Sequence, residues 1–335
     1  MNSNDKPLFK IRKDPKKNKT EVLNDCYDLF HDHIPYIISE ENSFYNIGLK
    51  WPDFLEWFVD PNTFTVAKDL YSLAPSQIAS FQKIYSIKGV EIVLSMFHSR
   101  AILTPALVWQ KQGIKIDQVV HVDDHSDLMS MALYFSNKDN CYRTSLYKDK
   151  ITIDNIASLY SAIEQGIINK GNFLSTYSIL EPENDIIYVN EKLAEQEYAL
   201  IPQKGEIKLG SSVIEIFSLL YEKNQKDSST KIQIRPKIPV DLEGNNIWLD
   251  IDFDAFCNRY NGDSDKSEIV ITNAEIERTN ERINDFLNQF ERIKWLSKIK
   301  AISLAVSPGF FPSDYWGNVV PKLFNFIVDK INSTK

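Results

Sequence analysis

The segment VVHVDDHSDL (residues 119–128) gathers two of the chain's five histidines and three aspartates directly after an apolar run. If the extended geometry of the preceding run continues through it, Asp123, His125 and Asp127 share one face, because strand side chains alternate with period 2. Converging carboxylates and imidazoles at a buried strand end repel or are left desolvated unless a cation neutralises them. Taken alone, the stretch also fits a solvated turn rich in Asp, Ser and His.

A second cluster favours the cation. In IWLDIDFDAF (residues 247–256), Asp250, Asp252 and Asp254 alternate with apolar Leu249, Ile251 and Phe253. Aspartate is depleted in strands, so three on one face call for a counter-charge. His98 closes VEIVLSMFH (residues 90–98) at another strand terminus. The candidate metal ligands are therefore His98, Asp123, His125, Asp127, Asp250 and Asp252. Four carboxylates and two imidazoles without a thiolate suit a hard or borderline divalent cation such as Mn²⁺. Six donors exceed the needs of one open zinc site and fit two ions about 3.5–4 Å apart, the arrangement of metal-assisted hydrolases.

Outward from these clusters, five apolar runs read as strands covered on both faces: residues 90–97, 115–122, 185–190, 247–253 and 300–307. Helical patterns lie between and after them. TIDNIASLYSAIEQG has Thr152 or Asp154 as cap and ends at Gly166; a long amphipathic segment starts near residue 272; a closing one carries Pro321. Strand–helix alternation predicts an α/β fold with a mainly parallel sheet and helices on both faces, its ligands at the carboxyl ends of the strands. Residues 1–20 read as a disordered basic tail and 21–85, including WPDFLEWFVD (residues 51–60), as a helical, aromatic-rich extension packed on a catalytic domain of residues 86–335.

Composition narrows the function classes. A net charge of −8, with basic residues concentrated only in the N-terminal tail, argues against nucleic acid and for cationic substrates. Three scattered cysteines fit a reducing cytoplasm. No apolar run approaches the ~18 residues of a membrane span, and the N-terminus lacks a secretory apolar segment.

The two acidic clusters resemble those of the arginase–deacetylase superfamily. VDDHSD is similar to its Asp-x-His-x-Asp motif and LDIDFD to its Asp-x-Asp strand, somewhat over a hundred residues later, while His98 stands where these enzymes carry an upstream histidine ligand. FHSRAILTPALVW, GNFLSTYSIL and AVSPGFFP further resemble a divergent branch that includes peptide arginases of ribosomally made peptide pathways. The resemblance spans roughly residues 88–330. It implies a three-layer α/β/α arginase-like fold and two Mn²⁺ ions bridged by Asp123 and Asp250, with His98 and Asp127 completing one and His125 and Asp252 the other. It implies an arginine-containing precursor peptide as substrate, with ornithine and urea as products. A deacetylase of the same superfamily, a free-arginine or agmatine ureohydrolase, and a non-catalytic metal-stabilised module are the alternatives. Asp127 and Asp254 are the candidate proton donors to the departing amine. Ser307 and His121 are the candidate substrate contacts, with His121 deeper in the strand and open to a packed supporting role. Glu181 and Glu183 are weaker candidates for a guanidinium anchor. LMSMALYFSNKDNCYRT, after Asp127, lacks the histidine proton shuttle that free-arginine enzymes carry there.

Overall fold

The computed structural model describes residues 9–52, 60–223, 230–262 and 271–334. The N-terminal part departs from the expected helices. Strand β1 (Phe9–Arg12) and helix α1 (Lys19–Phe30) precede an antiparallel pair, β2 (Ile34–Glu40) and β3 (Phe44–Lys50), and β1 pairs with the free side of β3. Residues 9–12 therefore belong to a sheet and not to a disordered tail. The physical reason lies in FKIR, where Phe9 and Ile11 alternate with Lys10 and Arg12, and in IPYIISE, which is rich in β-branched and aromatic residues; residues 1–8 lie outside the described residues. Helix α1 opens with a capping box between Asn18 and Glu21. Most of WPDFLEWFVD, residues 53–59, also lies outside the described residues. Helices α2 (Thr63–Tyr71) and α3 (Pro75–Ile78) follow, and β4 (Gln82–Ile87) joins the main sheet at its edge.

The rest of the chain alternates strands and helices: β5 (Val90–Ser95), α4 (Leu103–Gln112), β6 (Gln118–Val122), the small ribbon β7 (Leu133–Ser136) and β8 (Cys141–Thr144), then α5 (Ile156–Glu164), α6 (Phe173–Leu180) and β9 (Asp185–Val189). A long hairpin, β10 (Gln196–Leu209) and β11 (Ser212–Glu222), leads to β12 (Thr230–Arg235) and β13 (Ile247–Asp252). The chain ends with α7 (Asn273–Phe290), β14 (Ile299–Ala305) and α8 (Trp316–Ser333). The cap of α5 is Asn155, whose side chain accepts from Ser158 N, not Thr152 or Asp154. Gly166 follows that helix at φ +71, as expected of a C-terminal glycine. Pro321 is accommodated within α8.

The main sheet has nine strands in the order β11-β10-β12-β9-β6-β13-β14-β5-β4. Its six central strands, β12 to β5, are parallel, and antiparallel strands flank them on both sides. Alternate strand residues feed two buried apolar clusters. Val119, Ile186 and Trp248 pack with α1, α4, α5 and α6, whereas Val120, Ile187 and Leu249 pack with α7 and α8. Phe9, Ile11, Phe30 and Ile47 belong to the first cluster, so the N-terminal sheet shares the core of the main one. Among the described residues no helix is long and apolar enough to cross a membrane.

Candidate metal centre

Four adjacent parallel strands, β6, β13, β14 and β5, end side by side, and every sequence-predicted ligand sits at or just beyond one of these ends. His98 opens a 3-10 turn (His98–Ile102) after β5; residues 123–127 follow β6; Asp250 and Asp252 lie on β13; Asp254 sits in a 3-10 turn (Phe253–Ala255). The strands are buried along their whole length and the chain turns sharply where they stop. Asp123 Oδ1 accepts from His125 N at 2.6 Å, and Asp252 Oδ1 accepts from Asp254 N at 3.0 Å, so each acid folds its own loop. Extended geometry does not continue to Asp127 as the period-2 reading expected, because Asp127 takes a left-handed φ of 50°. That turn nevertheless swings its carboxylate back towards His98.

The centre is built around the His98 ring. Its Nδ1 lies 3.1 Å from Asp123 Oδ2, 2.9 Å from Asp127 Oδ2 and 3.0 Å from Asp252 Oδ2. None of these approaches satisfies hydrogen-bond geometry, and His98 Nδ1, Asp123 Oδ2 and Asp127 Oδ2 are buried without a hydrogen-bond partner. Buried polar atoms are almost always hydrogen-bonded, and these three, facing one another, form a group that could hold a cation. A second group adjoins it through Asp123: His125 Nδ1 is 3.0 Å from Asp254 Oδ2 and 3.6 Å from Asp123 Oδ1. Both groups border a cavity of about 360 Å³ whose wall includes His98, His125, Asp127, Asp252, Asp254 and Ser307. The donor set fits divalent ions of the Mn²⁺ type.

Beneath the cavity runs a row fixed by strand register. His121 on β6, Asp250 on β13 and Ser303 on β14 are direct neighbours across the sheet. His121 Nδ1 meets Asp250 Oδ2 at 2.7 Å, and Ser303 Oγ donates to Asp250 Oδ1 while accepting from Trp248 Nε1 at 2.7 Å. His98 Nε2 completes the set, 3.0 and 3.1 Å from the two Asp250 oxygens. Asp250 is thus fully buried with both oxygens engaged and takes no part in the cavity wall. The acids of this segment that line the cavity are Asp252, at the end of β13, and Asp254, in the turn beyond it, while His98, His121 and Asp250 form a further group whose atoms could hold an ion. His121 is equally buried, which corrects its expected contact with substrate. Both of its ring nitrogens face acceptors, Asp250 Oδ2 and the His125 carbonyl at 3.1 Å, and although burial opposes it, Asp250 and Asp123 raise the ring above the ordinary imidazole range.

Electrostatics follow from this crowding. Burial alone would push His98 down, but Asp250, Asp252, Asp123 and Asp127 together hold it well above the ordinary imidazole range. Burial likewise opposes His125, yet Asp123 and Asp254 raise it to about 12. Burial and the neighbouring Asp123 lift Asp127 to about 7; burial and then Asp252 and Asp123 lift Asp254 well above the carboxylate range. In the absence of ions, protons on imidazoles and acids neutralise the cluster.

Ser307 lies where expected, lining the cavity and donating to Asp252 Oδ2. Glu181 and Glu183 do not: they precede β9 at the opposite end of the sheet, with Glu181 paired to Lys115. Sequence reasoning missed His31, Lys170, Asn261 and Phe310, which also line the cavity. Only His31 had a visible signal, the tract His31-Asp32-His33 holding two more of the five histidines. No protein-family model and no curated protein matches this chain.

Proposed function

We propose that this chain is a dinuclear manganese hydrolase of the arginase–deacetylase type, with a three-layer α/β/α fold, that converts arginine side chains of a peptide into ornithine with release of urea. The observation that carries the reading is the set of three unpartnered buried atoms, His98 Nδ1, Asp123 Oδ2 and Asp127 Oδ2, at the edge of a cavity. In this reading His98, Asp127 and Asp252 would hold one ion and His125 and Asp254 the other, with Asp123 beside both groups. Asp250 and His121 lie behind them and orient His98.

When bound, such an ion pair supplies Lewis acidity and a nucleophilic oxygen at neutral pH. The overall change adds water to the guanidinium carbon: a C–O bond forms, the C–N bond to the side chain breaks, and the amine and urea leave. Ser307 fixes the Asp252 carboxylate on one side. Asn261 Oδ1, 2.9 Å from His125 Nε2, fixes the His125 ring on the other. Every acid on the described cavity wall belongs to the centre itself. A free amino acid's α-ammonium would find no carboxylate of its own there, whereas a peptide-bound arginine needs none.

The test is urea release and peptide mass after incubating the Mn²⁺-loaded protein with arginine-containing peptides and, separately, with free arginine. Ornithine in the peptide is the expected outcome; urea from free arginine alone would replace the peptide substrate with the amino acid. A second reading has its own support, since Asp123, His125 and Asp254 form a compact three-ligand group by themselves. That group would serve a mononuclear deacylase, and silence towards both guanidino substrates with one metal per chain would establish it.

A further inference from the structure

Among the described residues, eight other than glycine adopt left-handed φ, and four of these line one cavity: His31 (45°), Asp127 (50°), Asn261 (50°) and Ser307 (51°). Such conformations persist where surrounding structure enforces them, and they cluster at functional sites. Three of the four already belong to the centre or contact its ligands. His31 comes from elsewhere, the end of α1 beside the N-terminal sheet.

The position is held from both sides. His31 N–H donates to Tyr27 O at 2.9 Å, in the C-terminal cap position where glycine is the usual occupant. Next to it Asp32 is fully buried and accepts from Lys170 N at 3.0 Å, and His33 packs on Trp51 with ring centroids 4.0 Å apart. Asp32 and His33 thus anchor the tract and direct His31 to the cavity. No hydrogen bond among the described residues engages the His31 ring nitrogens.

The reaction needs such a group. Water loses both its protons as its oxygen becomes the urea carbonyl, and the departing nitrogen gains both as it leaves as an ammonium. His98 and His125 are occupied by the centre, and His121 is buried beneath it. Among the described residues, His31 is the one imidazole on the cavity wall that lies outside the centre. We propose that His31, supplied by the N-terminal unit, is a catalytic residue that accepts a proton from the attacking water and delivers it to the departing amine nitrogen. His31 ends each turnover in its starting protonation state, and the second proton follows the same route or passes directly from the hydroxyl to the amine. Burial and then the Lys170 charge hold the imidazole down at about 4, with Asp28 opposing, so the resting ring is neutral.

The inference rests on the guanidine-hydrolase reading, and the experiment separates the two. Full-length Mn²⁺-loaded wild type, His31→Asn and His31→Gly are compared; glycine adopts the positive φ of this position without steric cost, and asparagine removes the imidazole while keeping a polar side chain. Metal content, affinity for an ornithine-containing peptide by calorimetry, and steady-state urea release are measured. Both variants should lose 10²–10⁴-fold in kcat while metal content stays equal and KM and product affinity stay within about threefold, and imidazole should restore turnover in His31→Gly. An unchanged kcat, or loss of metal or product binding in step with kcat, would overturn the role of His31 while leaving the hydrolase intact. Silence of the wild type towards every guanidino substrate would overturn the hydrolase reading, and His31 as its proton carrier would fall with it.

Discussion

His98 presents Nε2 to both oxygens of Asp250, at 3.0 and 3.1 Å, and Nδ1 to the three carboxylates at the cavity. A carboxylate only accepts, so Asp250 keeps the proton on Nε2 and leaves Nδ1 to face an ion. Such supporting partners typically contribute 10–100-fold in metal affinity. Asp250→Asn should therefore weaken manganese binding by about that factor and keep near two ions per chain. Asp254→Asn should lower the stoichiometry towards one. Metal analysis with calorimetric titration decides between them; a lost ion in Asp250→Asn would make Asp250 a ligand after all.

Ion binding should also stabilise the fold. Asp123, Asp127, Asp252 and Asp254 are all buried within one small region, and the unfolded chain cannot assemble that site. A ligand specific to the native state stabilises it by about 4 kcal/mol at a thousandfold excess over Kd. Adding Mn²⁺ to chelator-treated protein should raise Tm by several degrees, and Asp123→Asn, which removes the acid common to both groups, should abolish most of that rise. Equal shifts in wild type and variant would place the ion elsewhere.

Acid should loosen the N-terminal unit through His33. Its ring is buried, both nitrogens lack a hydrogen-bond partner, and Arg100, Trp51 and Glu164 surround it. Burial first and the Arg100 charge second push it from 6.5 down to about 3. A folded-state value below the unfolded one means that the unfolded chain binds the extra proton, so this stabilisation is complete above pH 6.5 and falls as pH drops towards 3. Between pH 7 and 5 the loss is about 2 kcal/mol, at 1.36 kcal/mol per pH unit below the unfolded value. Urea denaturation at both pH values should show His33→Phe losing less stability than wild type by that amount. Parallel losses would mean that another group governs the acid response.

The site was legible in the sequence largely because its acids interrupt otherwise apolar strand ends. Asp123, His125, Asp127 and Asp252 stood out because carboxylates in such strands need a reason. That Asp254 also lines the cavity was not legible, since the alternation of Asp250, Asp252 and Asp254 does not show that the chain leaves β13 for a 3-10 turn after Asp252. Five of the six central strands were visible as continuous apolar runs; β12, TKIQIR, alternates with polar residues and was not. The β10–β11 hairpin was not: QEYALIPQKGEIKL is half polar and includes Pro202 and Gly205, as an exposed flanking strand allows. His31 escaped because its role depends on a tertiary contact between α1 and a strand end distant in the chain.

Truncation exposes the same dependence. The sequence reads residues 21–85 as an extension packed on the catalytic domain, and Phe9, Ile11, Val22, Phe30 and Ile47 are buried in the cluster that also contains Val119 and Trp248. Arg12 and the turn of the β10–β11 hairpin are joined by two hydrogen bonds, Arg12 N to Ser212 Oγ and Ser211 N to Arg12 O. Removing residues 1–50 would uncover this apolar face. Five such side chains at roughly 1.5–3 kcal/mol each approach the whole 5–15 kcal/mol of a typical domain. The truncated chain should therefore lose its near-UV circular dichroism and its cooperative melting transition. A truncated chain that melts cooperatively and still binds two ions would show instead that the N-terminal unit serves the substrate alone.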